Sequence, residues 1–240
     1  YPKSTIKAQK KWLENLHDWG VSRQRKWGCQ IPIEGEVDTL DTFVDSSFYF
    51  IIYNLLKGLK PKPVDLYVGG NEHACAHLIY ARFITMFLYD IGFIDFEEPF
   101  KKVIHQGMIL KDGAKMSKST GNIVNLDNYD SDEIRFYLMF LGNYFDGGSW
   151  SDSSINGVKR FLNKMKIWLS KSGNVNIDLT SLKLEIFNYT EQFKFNKVVS
   201  SFMIFLNNNK DKALSTDCKG ELIELISIYM PGFKNKLDGI

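Results

Sequence analysis

Two lysines three residues apart stand in the string Lys115-Met116-Ser117-Lys118-Ser119, framed by Gly113 and Gly121. A mobile loop with two such cations can close on a triphosphate and offset the charge that builds as pyrophosphate leaves. As a bare K-x-x-K pattern these residues describe a solvated basic loop; as a full five-residue string behind a strand they are far more specific. Gly69-Gly70-Asn71-Glu72-His73 is the second candidate. Glycines at the carboxyl end of a parallel strand let a ligand approach the backbone, and the helix start behind them favours phosphate or ribose. Glu72 can accept hydrogen bonds from ribose hydroxyls. A tight turn with an acid in the first helical turn accounts for the same residues.

His73 and His77 lie four apart, one turn along a single helix face, with Glu72 and Cys75 between or beside them. Neither HExxH nor HxxEH is formed, and Cys75 points to another face, so no metal site is expected; buried, hydrogen-bonded histidines or a substrate wall fit better. The stretch Asp38 to Tyr49 sets three acids among hydroxyls and large aromatics. Buried acids are costly without partners. It reads either as a helix start capped by Asp or Thr, or as an aromatic pocket with one carboxylate for an amine. Arg23, Arg25 and Lys26 fall between Trp19 and Trp27, a pattern that serves a nucleic-acid backbone or cation–π packing equally.

The elements that must position these residues follow from period and punctuation. Residues 3–18 read as an amphipathic helix and 19–33 as an irregular segment. Phe43 to Leu56 reads as a buried helix, Val64 to Val68 as a short strand ended by Gly69-Gly70, and Asn71 to Tyr89 as a helix. Val103 to Leu110 reads as a second strand, followed by a Gly- and Lys-rich loop over 111–122. Strand, helix, strand implies a parallel crossover. Beyond it, Asp130–Leu141, Ile155–Leu169, Leu182–Phe193, Val198–Leu206 and Leu222–Met230 read as helices. Gly142, Gly147 and Gly148 mark the break between an α/β part and a helical part.

Composition sets the bounds. With 44% hydrophobic residues, 18 Phe, 11 Tyr and 5 Trp in 240 residues, a core is easily built. A net charge of +2 neither requires nor excludes a nucleic-acid partner. Cys29, Cys75 and Cys218 form no CxxC pair and no disulfide framework, which favours a reducing compartment. The apolar stretches are too short to span a membrane, and the first residues do not read as a signal peptide. A chain that opens on Tyr1 reads as an interior piece of a longer protein.

Taken in order, WGVSRQRKWGCQIPI, DTLDTFVDSSFYF, DLYVGGNEHACAHLIYARF, QGMILKDGAKMSKSTGN and WSDSSINGVKRFLNKM closely resemble leucyl-tRNA synthetases, class I enzymes with a KMSKS signature. The resemblance runs over roughly residues 10–210. It implies the second half of a Rossmann-type parallel-sheet catalytic domain over 1–125. A connecting region and part of an α-helical tRNA-binding bundle would follow over 126–240. It also implies a two-step reaction, in which leucine and ATP give leucyl-adenylate and the leucyl group passes to tRNA(Leu). Phe43, Ser46, Tyr49, His73 and His77 would then line the leucine pocket. Gly69, Gly70, Glu72 and the backbone near Met108 would hold the adenosine part of ATP. Lys115, Met116, Ser117, Lys118 and Ser119 would serve its phosphates, with Lys115 and Lys118 catalytic. Mg²⁺ is implied with ATP, and a cytoplasmic location with protein synthesis.

The sequence departs from the family at identifiable places. No His-x-Gly-His string occurs, so the HIGH half of the ATP site, and any editing domain, would belong to a missing N-terminal half. Half a parallel sheet would then carry unpaired edges and bare apolar faces. Pro231-Gly232-Phe233 lacks the usual continuation of the bundle. The readings that remain are a piece of a working leucine enzyme, a non-catalytic tRNA-binding paralogue, and a related enzyme for another aliphatic amino acid. The intact loop and pocket strings favour the first.

Overall fold

The computed structural model describes residues 3–73 and 76–237. The chain packs as two compact units, 1–106 and 107–240. In the first, α1 (Ser4–Glu14) precedes a two-stranded antiparallel ribbon of β1 (Ser22–Arg23) and β2 (Thr39–Leu40). Asp41 then caps α2 (Thr42–Ser46) by accepting from the Phe43 amide at 2.8 Å. A second short helix, α3 (Tyr49–Leu56), follows. The sequence led us to expect one buried helix from Phe43 to Leu56. Two helices form instead, and only Phe50 and Ile51 of α3 are buried, while Tyr49, Ile52, Tyr53, Leu55 and Leu56 stay exposed. High apolar content did not imply burial on all sides.

The parallel crossover is present. β3 (Tyr67–Gly70) pairs in parallel with β4 (Val103–Gln106), with Tyr67 opposite Val103 and Gly69 opposite His105. Between them α4 (His77–Asp90) buries His77, Leu78, Ala81, Thr85 and Leu88. β3 begins later than expected, and Val64 makes only an isolated bridge to Phe100. Asn71–His73 form a short 3-10 turn and α4 starts at His77, so His73 and His77 do not share one helix. Cys75 lies outside the described residues. The small core of this unit gathers Phe50, Ile51, Leu78, Ala81, Leu88, Ile94 and Phe100. Val68 on β3 and Phe83, Met86 and Phe87 on α4 remain exposed.

The second unit begins where the expected Val103–Leu110 strand breaks, at Gly107. β5 (Ile109–Lys111) forms a hairpin with β6 (Ala114–Lys115) and also pairs in parallel with β7 (Gly148–Ser149). The hairpin turn places Asp112 at φ 54° and Gly113 at φ 75°, the left-handed pair of a tight two-residue hairpin. Because β7 holds β5, the signature hairpin packs with the helical unit, and packing divides the chain at 106/107 rather than near 125. The helices are α5 (Ser131–Phe140), α6 (Asp152–Ser170), α7 (Thr180–Glu191), α8 (Phe195–Asn209) and α9 (Thr216–Ser227).

Sequence and structure agree closely in this unit. α6 buries Ile155, Val158, Leu162, Met165, Trp168 and Leu169, the residues its 3.6 period selects. Asp130 and Glu133 form a capping box on α5, while Ser151 and Ser215 cap α6 and α9. The core joins all five helices through fully buried Phe136, Ile155, Ile186, Phe202 and Leu222. Among the described residues no helix is long and apolar enough to cross a membrane.

One close approach tests the register. The Gly107 amide donates to the Tyr144 carbonyl at 2.8 Å, and a Cβ at Gly107 would lie 1.9 Å from the Gly147 nitrogen. Backbone cannot yield as a side chain can. Gly107→Ala should therefore destabilise the second unit by at least the ~1–3 kcal/mol typical of overpacking. Urea unfolding followed by tryptophan fluorescence checks this; an unchanged midpoint would contradict the close approach.

Candidate functional site

A cavity of about 460 Å³ opens in the first unit. Its wall contains Phe43, Ser46 and Tyr49 from α2 and α3, and His73 and His77 from the far side of the Gly-Gly turn. All five residues assigned to the amino-acid pocket thus meet around one space. Gly69 and Gly70 border it as well. Tyr67, on the same strand, and His105, on β4, complete the part of the wall that matters chemically. Neither was singled out from the sequence. The signal was available in the period of two along a strand: Val103 and His105 face the cavity while Ile104, fully buried, faces away.

The rings are packed edge and face. Tyr67 stacks on Phe100 at 3.9 Å between centroids and on His77 at 5.7 Å. His73 stands edge-on to His77 at 6.3 Å and to Phe43 at 6.5 Å. Both His77 nitrogens are engaged, Nδ1 with Ser46 Oγ at 2.9 Å and Nε2 with the Tyr67 hydroxyl at 2.5 Å. Burial, and then the neighbouring His73, hold the His77 pKa below its ordinary value, so the ring is neutral at pH 7. Burial also lowers His105, although the backbone at Gly70 opposes it, and His105 Nδ1 has no hydrogen-bond partner among the described residues. The Tyr67 hydroxyl is raised, by burial first and by Tyr49 second.

A Cβ at Gly70 would lie 2.3 Å from Glu72 Oε2, because the exposed acid folds back over the turn; its flexible side chain could swing clear of such a contact. The expected amine-binding carboxylate is not in the cavity. Asp41, 4% exposed, is spent on Arg23 and on the α2 cap; Asp38 bonds Gln24; Asp45 raises the thiol of Cys29 by accepting its hydrogen bond. The stretch is capped by Asp41 and also lines the cavity with Phe43, Ser46 and Tyr49, but without a carboxylate. Arg25 lies 5.2 Å from the Trp27 ring centroid, the cation–π option for the basic-aromatic segment.

The remaining predicted residues belong to the second unit. Lys115 ends the hairpin, and both it and Lys118 are exposed and free of ion pairs among the described residues. A residue overlooked in the sequence shapes the loop between them. Asn122 accepts from the Ser117 amide at 2.8 Å and from Thr120 Oγ1 at 2.7 Å, and donates to the Lys115 carbonyl at 3.1 Å. Ser117 Oγ and Ser119 Oγ lie 2.8 Å apart. One amide side chain therefore closes the loop while leaving both ammonium groups to solvent. The Met108 carbonyl accepts from the Gly148 amide at 3.2 Å. Asp152 takes hydrogen bonds from Trp150 Nε1 at 2.9 Å and the Tyr129 hydroxyl at 2.8 Å, which lower its pKa.

With this geometry in hand, comparison with known proteins is informative. Residues 1–165 match the family model "tRNA synthetases class I (M)". The chain is 38% identical to the leucine–tRNA ligase of Clostridium tetani over 87% of its length, covering 31% of that protein. It is 40% identical to the leucine–tRNA ligase of Pseudothermotoga lettingae over 76% of its length, covering 26% of that protein. Among solved structures, the ternary complex of Agrobacterium radiobacter K84 agnB2 LeuRS with tRNA and LeuAMS superposes with a TM-score of 0.73. That match is 26% identical and covers 98% of this chain and 44% of the other. Mycobacterium tuberculosis methionyl-tRNA synthetase with methionyl-adenylate shares the fold, with a TM-score of 0.59 at 20% identity over 86% of this chain and 46% of that one. The chain spans about a third of the length of the curated relatives it matches.

The two depressed histidines fix a pH dependence. Below an ordinary pKa of 6.5 the unfolded chain takes up protons that folded His77 and His105 refuse. Stability is therefore complete above pH 6.5 and falls as pH drops below it. Unfolding free energies measured between pH 7.5 and 5 should decline, and His77→Gln should flatten the decline. A slope unaffected by that substitution would contradict the burial assigned to His77.

Proposed function

This chain belongs to the class I tRNA synthetases, and from that premise we propose that it is the leucine-seating, KMSKS-bearing part of a leucine–tRNA ligase. The observation that carries the proposal is the ring-lined cavity of the first unit, where Phe43, Tyr49, His73 and a neutral His77 surround a space suited to an aliphatic side chain. Such a pocket selects by size and shape, at ~1–3 kcal/mol per methylene. Gly69, Gly70 and Glu72, at the carboxyl end of a parallel strand, are proposed to take the adenosine part of ATP, as is the backbone near Met108.

Lys115 and Lys118 are proposed to act on the phosphates. Leucine carboxylate oxygen would attack the α-phosphorus of ATP, forming leucyl-adenylate and releasing pyrophosphate. Negative charge grows on the departing oxygens, and two exposed ammonium groups on a loop closed by Asn122 suit that task. Met116, Ser117 and Ser119 would shape the loop's contact with the nucleotide. Mg²⁺ is proposed to arrive with ATP: among the described residues no three His, Cys, Asp or Glu side chains gather as a metal cage, and Mg²⁺ on a triphosphate needs few protein ligands. Transfer of the leucyl group to tRNA(Leu) is proposed for the complete enzyme, with a missing N-terminal half supplying the HIGH motif. Free thiols at Cys29 and Cys218 suit the cytoplasm.

Lys118→Ala tests the assignment. In leucine-dependent ATP–pyrophosphate exchange by the complete enzyme, turnover should fall about 10²–10³-fold, as for other lost transition-state donors, with the KM for leucine little changed. A large rise in leucine KM at preserved turnover would contradict the phosphate role.

A further inference from the structure

The cavity wall contains a hydrogen-bond chain that runs from the Phe43 carbonyl through Ser46 and His77 to Tyr67. Ser46 Oγ donates to the Phe43 carbonyl at 3.2 Å. A hydroxyl has one proton, so toward His77 Nδ1, 2.9 Å away, Ser46 Oγ acts as acceptor and Nδ1 bears the hydrogen. Nε2 of a neutral ring is then an acceptor, and the Tyr67 hydroxyl 2.5 Å away donates to it. Phe100, stacked on Tyr67 at 3.9 Å, holds the phenol ring in place from the side. Each of the three side chains thus has its one mobile proton aimed along the chain, and none aimed into the cavity. The wall offers a ligand ring carbons and oxygen lone pairs, but no proton donor from these residues.

We propose that Tyr67 is a positioning residue for substrate selection: by donating to His77 Nε2 it fixes the Nδ1–H form of the ring, so that an imidazole behaves as part of an apolar wall. This rests on the leucine reading above and extends it to a residue that the family motifs did not single out. An aliphatic side chain loses nothing against such a wall. A hydroxyl-bearing analogue loses water against these three side chains and receives no hydrogen bond from them, a modest penalty that adds to selection by shape.

The test combines a spectrum with a selectivity ratio, both on the complete enzyme. Nitrogen-15 NMR of labelled histidine reports the tautomer of His77. Exchange assays give kcat/KM for leucine and for 4-hydroxyleucine. Wild type should show the Nδ1–H form. Tyr67→Phe should mix the tautomers and lower the preference for leucine about tenfold, with the KM for ATP unchanged. Ser46→Ala, which removes the acceptor at the other end, should mix the tautomers as well. An Nε2–H form in the wild type would overturn the proposal, as would equal losses for both amino acids accompanied by a lower melting temperature. A wild type without leucine-dependent exchange would remove the leucine reading itself, and the selection role with it; that failure is recognisable because it precedes any substitution.

Discussion

The bond from the Tyr67 hydroxyl to His77 Nε2 joins the start of a parallel strand to the first turn of the helix that follows it. It forms because the crossover sets β3 beside α4, and because a ring buried at the start of α4 must satisfy both nitrogens. Once satisfied, the ring is neutral and immobile, and the aromatic residues around it can enclose an apolar space. The same requirement disposes of Asp41. Its carboxylate is withdrawn from water only because Arg23 and the Phe43 amide meet it. That pairing anchors α2 and so sets Phe43 and Ser46 in the cavity wall.

In the second unit the requirement falls on a loop rather than a cavity. A loop that must present two cations to a ligand cannot spend them on its own structure. Asn122 serves the loop's amides, hydroxyls and carbonyls in their place. The hairpin ahead of it is tied to β7, and β7 leads directly into the Trp150–Asp152 cap region of α6. The signature segment is therefore continuous, through backbone pairing, with the five-helix core.

What the sequence revealed differed between these regions for physical reasons. The helices of the second unit were legible because each buries one stripe, and a stripe leaves a 3.6-residue period: Ile155 through Leu169 are buried as that period requires. The stretch from Phe43 to Leu56 has no such contrast. Its large residues face the cavity, the small core and solvent in turn, so apolar content alone suggested one buried helix where two short ones form. The pocket strings named Phe43, Ser46, Tyr49, His73 and His77, which the fold brings around one space. Tyr67 and His105 escaped because their roles depend on which strand neighbours which, and register is a tertiary fact. Asn122 escaped because its work is on backbone groups, which no motif spells out.

The central claim is that the cavity of the first unit recognises the leucyl group of an activated amino acid. Titrating sulfamoyl analogues of leucyl-adenylate and isoleucyl-adenylate into the complete enzyme, with heat as the signal, addresses it most directly. The account predicts that the leucyl analogue binds at least about tenfold more tightly, the discrimination a shaped apolar pocket provides, and that His77→Ala removes most of the difference. Equal affinity for the two analogues, or a preference that survives the loss of His77, would contradict it.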